Sequence, residues 1–230
     1  MDIEEKPLVY FKKDKGAKEP NRGRSSDIAH DMYTNEDAFI LPNRIKATVV
    51  PSGIHTAFDA TKYGLFISPR SGVMKYPVML ANSTGLIEGE YRGDIGFPLR
   101  STLSFGLANT ASNILTIDET GSLTSLDTKE FFENSPNKVY DSYIEELNKL
   151  IHDLGVLFGK NAANSLYEEY FTSTNRSGSP FVPSGTLFLP KGIRIAQAYL
   201  IERKDTQWIE NDDLPASVRG ADGYGSSGAY

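Results

Sequence analysis

A mainly β protein carrying an inserted α-helical subdomain is predicted by three features of the sequence. Short β-rich runs punctuated by proline and glycine turns fill the chain to about residue 105. A stretch with helical spacing follows between about Asp127 and Phe171, and strand-like sequence returns at Thr186. The rhythm of the flanking parts is that of antiparallel β-structure, a sandwich or barrel. The β core is therefore expected over residues 1–105 and 181–230, and a largely helical insertion over 106–180.

Composition narrows the functions open to such a chain. Its 230 residues suffice for one core with an insertion. A formal charge of −6 argues against a nucleic-acid partner, because phosphate backbones are held by an excess of lysine and arginine. A phosphorylated small molecule is compatible if a few aimed arginines or a divalent metal offset the overall field. The absence of cysteine excludes disulfides, thiolate metal sites and cysteine nucleophiles. No apolar run is long enough to span a bilayer and the amino terminus is too acidic for a signal peptide, so a cytoplasmic protein with no membrane partner is expected. His30, His55 and His152 are isolated from one another and form no metal-binding pattern.

In order along the chain, residues 7–13 read as an opening strand, and a polar loop runs on to Arg24. Residues 27–33 flank Asp31 with apolar side chains, leaving it as either a ligand or a turn residue. Strands follow at 38–41, 46–50 and 64–67. Pro69-Arg70-Ser71-Gly72 then begins a helical turn, and its forked guanidinium, hydroxyl and unhindered backbone N–H groups suit phosphate oxygens or an ordinary surface turn. Residues 82–93, Asn-Ser-Thr-Gly-Leu-Ile-Glu-Gly-Glu-Tyr-Arg-Gly, form a glycine-punctuated hairpin. There Gly85 and Gly89 permit close backbone approach, Leu86 and Ile87 supply strand character, and Glu88 and Tyr91 supply chemistry. Another strand region covers 94–105.

The helical segment has well-marked starts. Asp127 and Glu130 have capping-box spacing, and Ser135-Pro136 resembles an N-cap followed by proline at the first helical position. Val139, Tyr143, Leu147, Leu150 and Leu154, joined by Tyr140, Ile144 and Ile151, make a helical stripe with Gly155 as the expected stop. That stripe serves either as core or as a docking surface for a partner. A second helix is expected over 162–171 and a flexible connector over 172–179. Strands at 186–189 and 193–201 flank Pro190-Lys191-Gly192 and read as a β-hairpin, with Arg194 and Gln197 its notable polar residues. Residues 219–228 combine glycines, serines, Arg219 and Tyr224, suiting either a disordered tail or a flap that cradles phosphates and stacks on a base.

Taken together and in this order, these stretches resemble the trimeric dUTP nucleotidohydrolase (dUTPase) family. Its five motifs are matched across most of the chain outside the helical segment. Pro69-Arg70-Ser71-Gly72 matches the second motif, 82–93 the third with one exception, Arg194-Ile195-Ala196-Gln197 the fourth and 219–228 the fifth. The first is the weakest, since Ile28-Ala29-His30-Asp31-Met32 retains the aspartate but not the family's Ala-Gly and Asp-Leu surroundings. The resemblance implies a jelly-roll-like β subunit, a homotrimer with active sites shared between subunits, dUTP as substrate and magnesium (Mg2+) as cofactor. It further implies that Asn82, Gly85, Leu86 and Ile87 read uracil and that Tyr91 packs on the deoxyribose. Arg70, Ser71, Gly72 and Gln197 would hold phosphates. Arg219, Gly223, Tyr224, Gly225, Ser226 and Ser227 would close over the nucleotide from a neighbouring subunit, and Asp31 would orient metal-bound water.

By the same resemblance Glu88 occupies the place of the carboxylate that activates water for attack on the α-phosphorus. The family has aspartate there, so Glu88 adds one methylene, and Glu90 is the fallback candidate. The insertion is the second departure, since the family commonly has a short β connection between its third and fourth motifs. Some phage-encoded relatives carry insertions that contact regulatory proteins, which implies a regulatory partner here and a host cytoplasm if the chain is phage-encoded. Two other readings are weighed. The related dCTP deaminases share the fold, but their arginine-serine-serine stretch and the glutamate beyond the hairpin are absent, with Ile95-Gly96-Phe97-Pro98 in its place. A nucleotide-sensing, protein-binding module weakened in turnover by Glu88 is the reading from another class.

Overall fold

The computed structural model describes residues 6–104, 110–168, 182–212 and 215. Up to the insertion the elements are β1 (Tyr10–Lys13), β2 (His30–Tyr33), β3 (Ala38–Ile40), β4 (Thr48–Pro51), β5 (Ile54–Ala57), β6 (Tyr63–Pro69), a 3-10 turn (Ser71–Lys75), β7 (Val78–Leu80), β8 (Gly85–Ile87) and β9 (Gly96–Ser101). There follow β10 (Thr110–Ala111), β11 (Asn113–Ile117), β12 (Leu123–Asp127), α1 (Thr128–Glu133), α2 (Asn137–Phe158) and α3 (Lys160–Tyr167). The chain returns through β13 (Val182–Pro183), β14 (Leu187–Leu189) and β15 (Arg194–Glu202).

The result is the mainly β, jelly-roll-like architecture with helices inserted late in the chain. Three sheets have the strand orders β2-β15-β6-β8, β4-β9-β7 and β12-β11-β14-β3. Alternating residues from all three meet in one core, including Met32, Ile40, Val50, Ile67, Leu80, Phe97, Leu187 and Ile195. The opening strand begins at Tyr10 rather than residue 7, because its partner β5 ends at Ala57, opposite Tyr10.

Residues 106–127 carry no helix among those described, since β11 and β12 form an antiparallel hairpin. β11 then pairs in parallel with β14, Leu115 beside Leu187 and Thr116 beside Phe188, so the start of the insertion shares a sheet with the core. The expected hairpin around residues 190–192 is a correction. β14 pairs with β3 and β11 while β15 pairs with β2 and β6, so the connection switches sheets. Buried Thr34 fastens that switch: its hydroxyl donates to the Pro190 carbonyl and accepts from the Ile193 N–H, and its carbonyl accepts from the Gly192 N–H.

The helical stripe is core. Strand β3 alternates, sending Ala38 and Ile40 into the sandwich and Phe39, with Leu41 just beyond, to the opposite face. Val139, Tyr143, Leu147, Leu150 and Leu154 of α2 cover that face together with Phe131 of α1 and Leu166 of α3. Phe39 lies 5.4 Å from the Tyr143 ring and 5.1 Å from Phe188. Each such buried side chain contributes roughly 1.5–3 kcal/mol, so of the two readings of the stripe the core one holds. Two helix boundaries also differ from expectation. The Ser135 hydroxyl bonds back to the Phe131 carbonyl instead of capping α2, leaving Pro136 at the cap position. Gly155 lies within the helix, where its missing side chain admits Ala163, and the stop comes at Gly159, whose φ of 88° favours glycine. Asp127 caps α1 as its spacing predicts, accepting from the Lys129 and Glu130 N–H groups.

A buried ion cluster joins the insertion to the core. Arg44, in the loop between β3 and β4, donates to Glu146 at 2.6 Å and to Asp153 at 2.7 Å, with all three side chains 10 % exposed or less. Asp153 also accepts from the Ile45 N–H and Glu146 from the Thr48 hydroxyl. Burial alone pushes the Asp153 pKa up; the Arg44 guanidinium and backbone N–H donors outweigh it and hold the carboxyl below its usual range.

Candidate active site

Two clusters of the predicted residues form at opposite ends of β6. At one end β15 runs between β2 and β6 with Gln197 level with Asp31 on one side and Ser68 on the other. Arg70 follows β6 and donates to one oxygen of Asp31 at 2.5 Å, while Arg194 donates to the other at 3.2 Å. Asp31 is thus a strand residue, nearly buried, and both of its oxygens are held by guanidinium groups. Gln197 donates weakly toward the Ser68 hydroxyl and the Pro69 carbonyl. Ser71 and Gly72 open the 3-10 turn directly after Arg70, closed by the Val73 N–H on the Arg70 carbonyl. Arg70 and Arg194 line a cavity of about 930 Å3 together with Lys18, Lys191 and residues 116–121 of the inserted hairpin. Lys18, Arg70, Lys191 and Arg194 outnumber the carboxylates Asp118 and Glu119 in this lining, an excess of cations that suits an anion.

At the other end, Asn82, Leu86, Ile87, Glu88 and Tyr91 line one cavity of about 530 Å3 with Val49, Pro51 and Pro98. The turn entering it is tight: Ser83 adopts a left-handed φ of 54°, uncommon for a residue with a side chain. A second turn, closed by the Tyr91 N–H on the Glu88 carbonyl, presents Glu88 at the cavity. This turn needs Gly89, since an added Cβ would lie 2.7 Å from the backbone of Ala60. Tyr91 folds over Gly93 and donates to the Asp94 carbonyl, while Asp94 accepts from Ser52 and the Ile54 N–H. The Glu88 carboxylate is exposed and has no hydrogen-bond partner among the described residues. Glu90 does not line this cavity. Just beyond, the His55 ring spans the Arg92 carbonyl and the Asp14 carboxylate, contacts that raise its pKa, the Arg92 hydrogen bond most.

Strand register separates the clusters. On β6, Leu65 faces Ile87 and Ile67 faces Gly85, so Glu88 lies toward the start of the strand and Arg70 follows its end. Leu65 and Arg70 are about 17 Å apart at roughly 3.3 Å per residue, farther than either side chain reaches, and the two cavities share no lining residue. One chain therefore presents two separate pockets. Sequence reasoning had singled out Arg194 without assigning it a place beside Asp31, and it missed Lys18 and residues 116–121 altogether. Arg219, Gly223, Tyr224, Gly225, Ser226 and Ser227 lie outside the described residues, as does the connector at 172–179.

Among the described residues no group of three or more histidine or acidic side chains is arranged to hold a metal ion. The donor set near the cationic cavity nevertheless fits magnesium of one kind. Mg2+ keeps several waters and takes one or two carboxylates plus substrate phosphates, and the paired oxygens of Asp31 retain lone pairs for such water. No helix among the described residues is long and apolar enough to cross a membrane.

The fold is the dUTPase fold. Over 96 % of its length the chain superposes on a mutant dUTPase of Staphylococcus bacteriophage 80alpha with dUpNHpp, covering 98 % of that protein with a TM-score of 0.63 at 17 % identity. A mutant dUTPase of phage phi11 of S. aureus, described with a structural Mg(II) ion, matches 91 % of the chain and 99 % of its own length with a TM-score of 0.58 at 13 % identity. In sequence the chain is similar to bacterial deoxyuridine 5'-triphosphate nucleotidohydrolases. It is 34 % identical over 90 residues to that of Corynebacterium jeikeium, which spans 39 % of this chain and 56 % of the relative. With the enzyme of Desulfitobacterium hafniense it shares 29 % over 89 residues, 59 % of that protein. The chain thus matches a little over half the length of these relatives. No protein-family model matches the sequence.

Proposed function

We propose that this chain hydrolyses dUTP to dUMP and pyrophosphate in active sites assembled between copies of a homotrimer. The observation that supports the reading is a pair of separated pockets, one bearing a carboxylate and one lined by arginines, too far apart to act within one chain. A pocket with an apolar wall of Leu86, Ile87 and Pro98 and the amide of Asn82 suits a pyrimidine, and Tyr91 suits the sugar. From a neighbouring copy, Arg70, Ser71, Gly72 and Gln197 would hold the triphosphate. The flap with Arg219, Gly223, Tyr224, Gly225, Ser226 and Ser227 would close over it.

In the reaction, a water oxygen held by Glu88 attacks the α-phosphorus while its proton passes to the carboxylate. The bond from the α-phosphorus to the oxygen bridging it to the β-phosphate breaks, and pyrophosphate leaves with that electron pair. Mg2+ bound with the nucleotide would supply neutralisation of phosphate charge, held through water by Asp31. Arg70 and Arg194 hold Asp31 in its strand. The β core at 1–105 and 181–230 would carry this chemistry. A regulatory protein at the 106–180 insertion would have the exposed Val156, Leu157 and Phe158 to meet, because the main stripe of α2 is covered.

Incubating purified protein with dUTP, dCTP and magnesium tests the reading by its products. dUMP with pyrophosphate is expected. dUTP formed from dCTP would replace the reading with deamination, and tight binding without product would favour nucleotide sensing, the alternative that the longer Glu88 side chain supports.

A further inference from the structure

We propose that Tyr76 is a positioning residue for the phosphate-binding turn and that the inserted hairpin braces it, an inference that rests on the functional reading above. Tyr76 closes the 3-10 turn Ser71–Lys75, its N–H donating to the Val73 carbonyl at 2.9 Å. From there its hydroxyl donates across to the Gly121 carbonyl at 2.9 Å, at the tip of the β11–β12 hairpin.

That tip is built to be stiff. The Asp118 carboxylate accepts from the Thr120 and Ser122 N–H groups, each at 2.9 Å, and from the Thr120 hydroxyl at 2.6 Å. Gly121 holds a φ of 80°, which a side chain would strain. The same hairpin reaches the second arm of the cluster, because β11 pairs with β14 and β14 leads through residues 190–193 to Arg194. Both arginines that clasp Asp31 are therefore carried on segments that the insertion supports. The insertion acts as scaffold for the phosphate end of the site, while the base-reading cavity shares none of its residues.

This division gives the test. Tyr76→Phe removes only the hydroxyl, and losing one hydrogen bond predicts a rise in KM for dUTP of roughly 2- to 10-fold. Inhibition by deoxyuridine, which has no phosphates, is expected to stay unchanged. An unaltered KM, or a parallel weakening of dUTP and deoxyuridine, would overturn the proposal. If the wild-type chain turns over no dUTP the functional reading fails by itself. Binding of inorganic tripolyphosphate by the two proteins then decides the positioning role, weaker binding by Tyr76→Phe upholding it and equal binding refuting it.

Discussion

Replacing Glu88 by glutamine is expected to lower kcat for dUTP about 10²- to 10⁴-fold, the range over which a positioned general base contributes, with little change in the affinity for dUTP. The amide keeps the shape and the hydrogen-bonding oxygen but cannot take the proton of the attacking water. The exposed position of Glu88 at the rim of its cavity means that no buried partner is orphaned, so the loss is catalytic rather than structural. Single-turnover measurement of pyrophosphate release alongside equilibrium dUTP binding separates the two effects. Undiminished release would remove Glu88 from the mechanism and turn attention to Glu90.

Arg44→Met is expected to cost about 3–5 kcal/mol of stability, since it leaves the buried Asp153 carboxylate without a cation and Glu146 with Lys149 alone. Urea denaturation reads this as a lower midpoint. The triple change of Arg44, Glu146 and Asp153 to apolar residues of similar size is expected to recover most of the loss, because removing all three charges removes the desolvation cost as well. Acid sensitivity gives a second sign. The Asp153 pKa is depressed in the folded chain, so its stabilisation is present above the unfolded value near 3.8 and is lost as pH falls through the lower folded value. In Arg44→Met that acid-side loss is expected to shrink. An unchanged midpoint would show that the cluster does not fasten the insertion to the core.

The sequence made the ordinal layout legible: β runs with turn residues, the cap at Asp127, and the stripe from Val139 to Leu154 all report local periodicity. What it left unread depends on long-range register. Residues 190–192 look like a hairpin turn, and only the bonds to Thr34, far upstream, redirect the chain to another sheet. The separation of the two pockets likewise stays hidden in a linear motif series, because the distance between Glu88 and Arg70 follows from which end of β6 each one meets. One overlooked signal was available. Glu146 and Asp153 stand seven residues apart on the apolar side of α2, beside Leu147 and Leu154; Lys149 reaches Glu146 from the same helix, but Asp153 requires a cation from elsewhere. Which residue supplies it, Arg44, could be named only from the fold.

Mixing two inactive variants tests the shared site most directly. Glu88→Gln retains a working phosphate end and Arg70→Ala retains a working base pocket and carboxylate. Unfolded together in equal amounts and refolded, the pair should form mixed trimers in which on the order of a quarter of the sites combine an intact half from each chain, and dUMP release should reappear at about that fraction of wild type. A mixture that stays as inactive as its parents, beside a wild-type control that refolds with full activity, would contradict assembly of the site between copies.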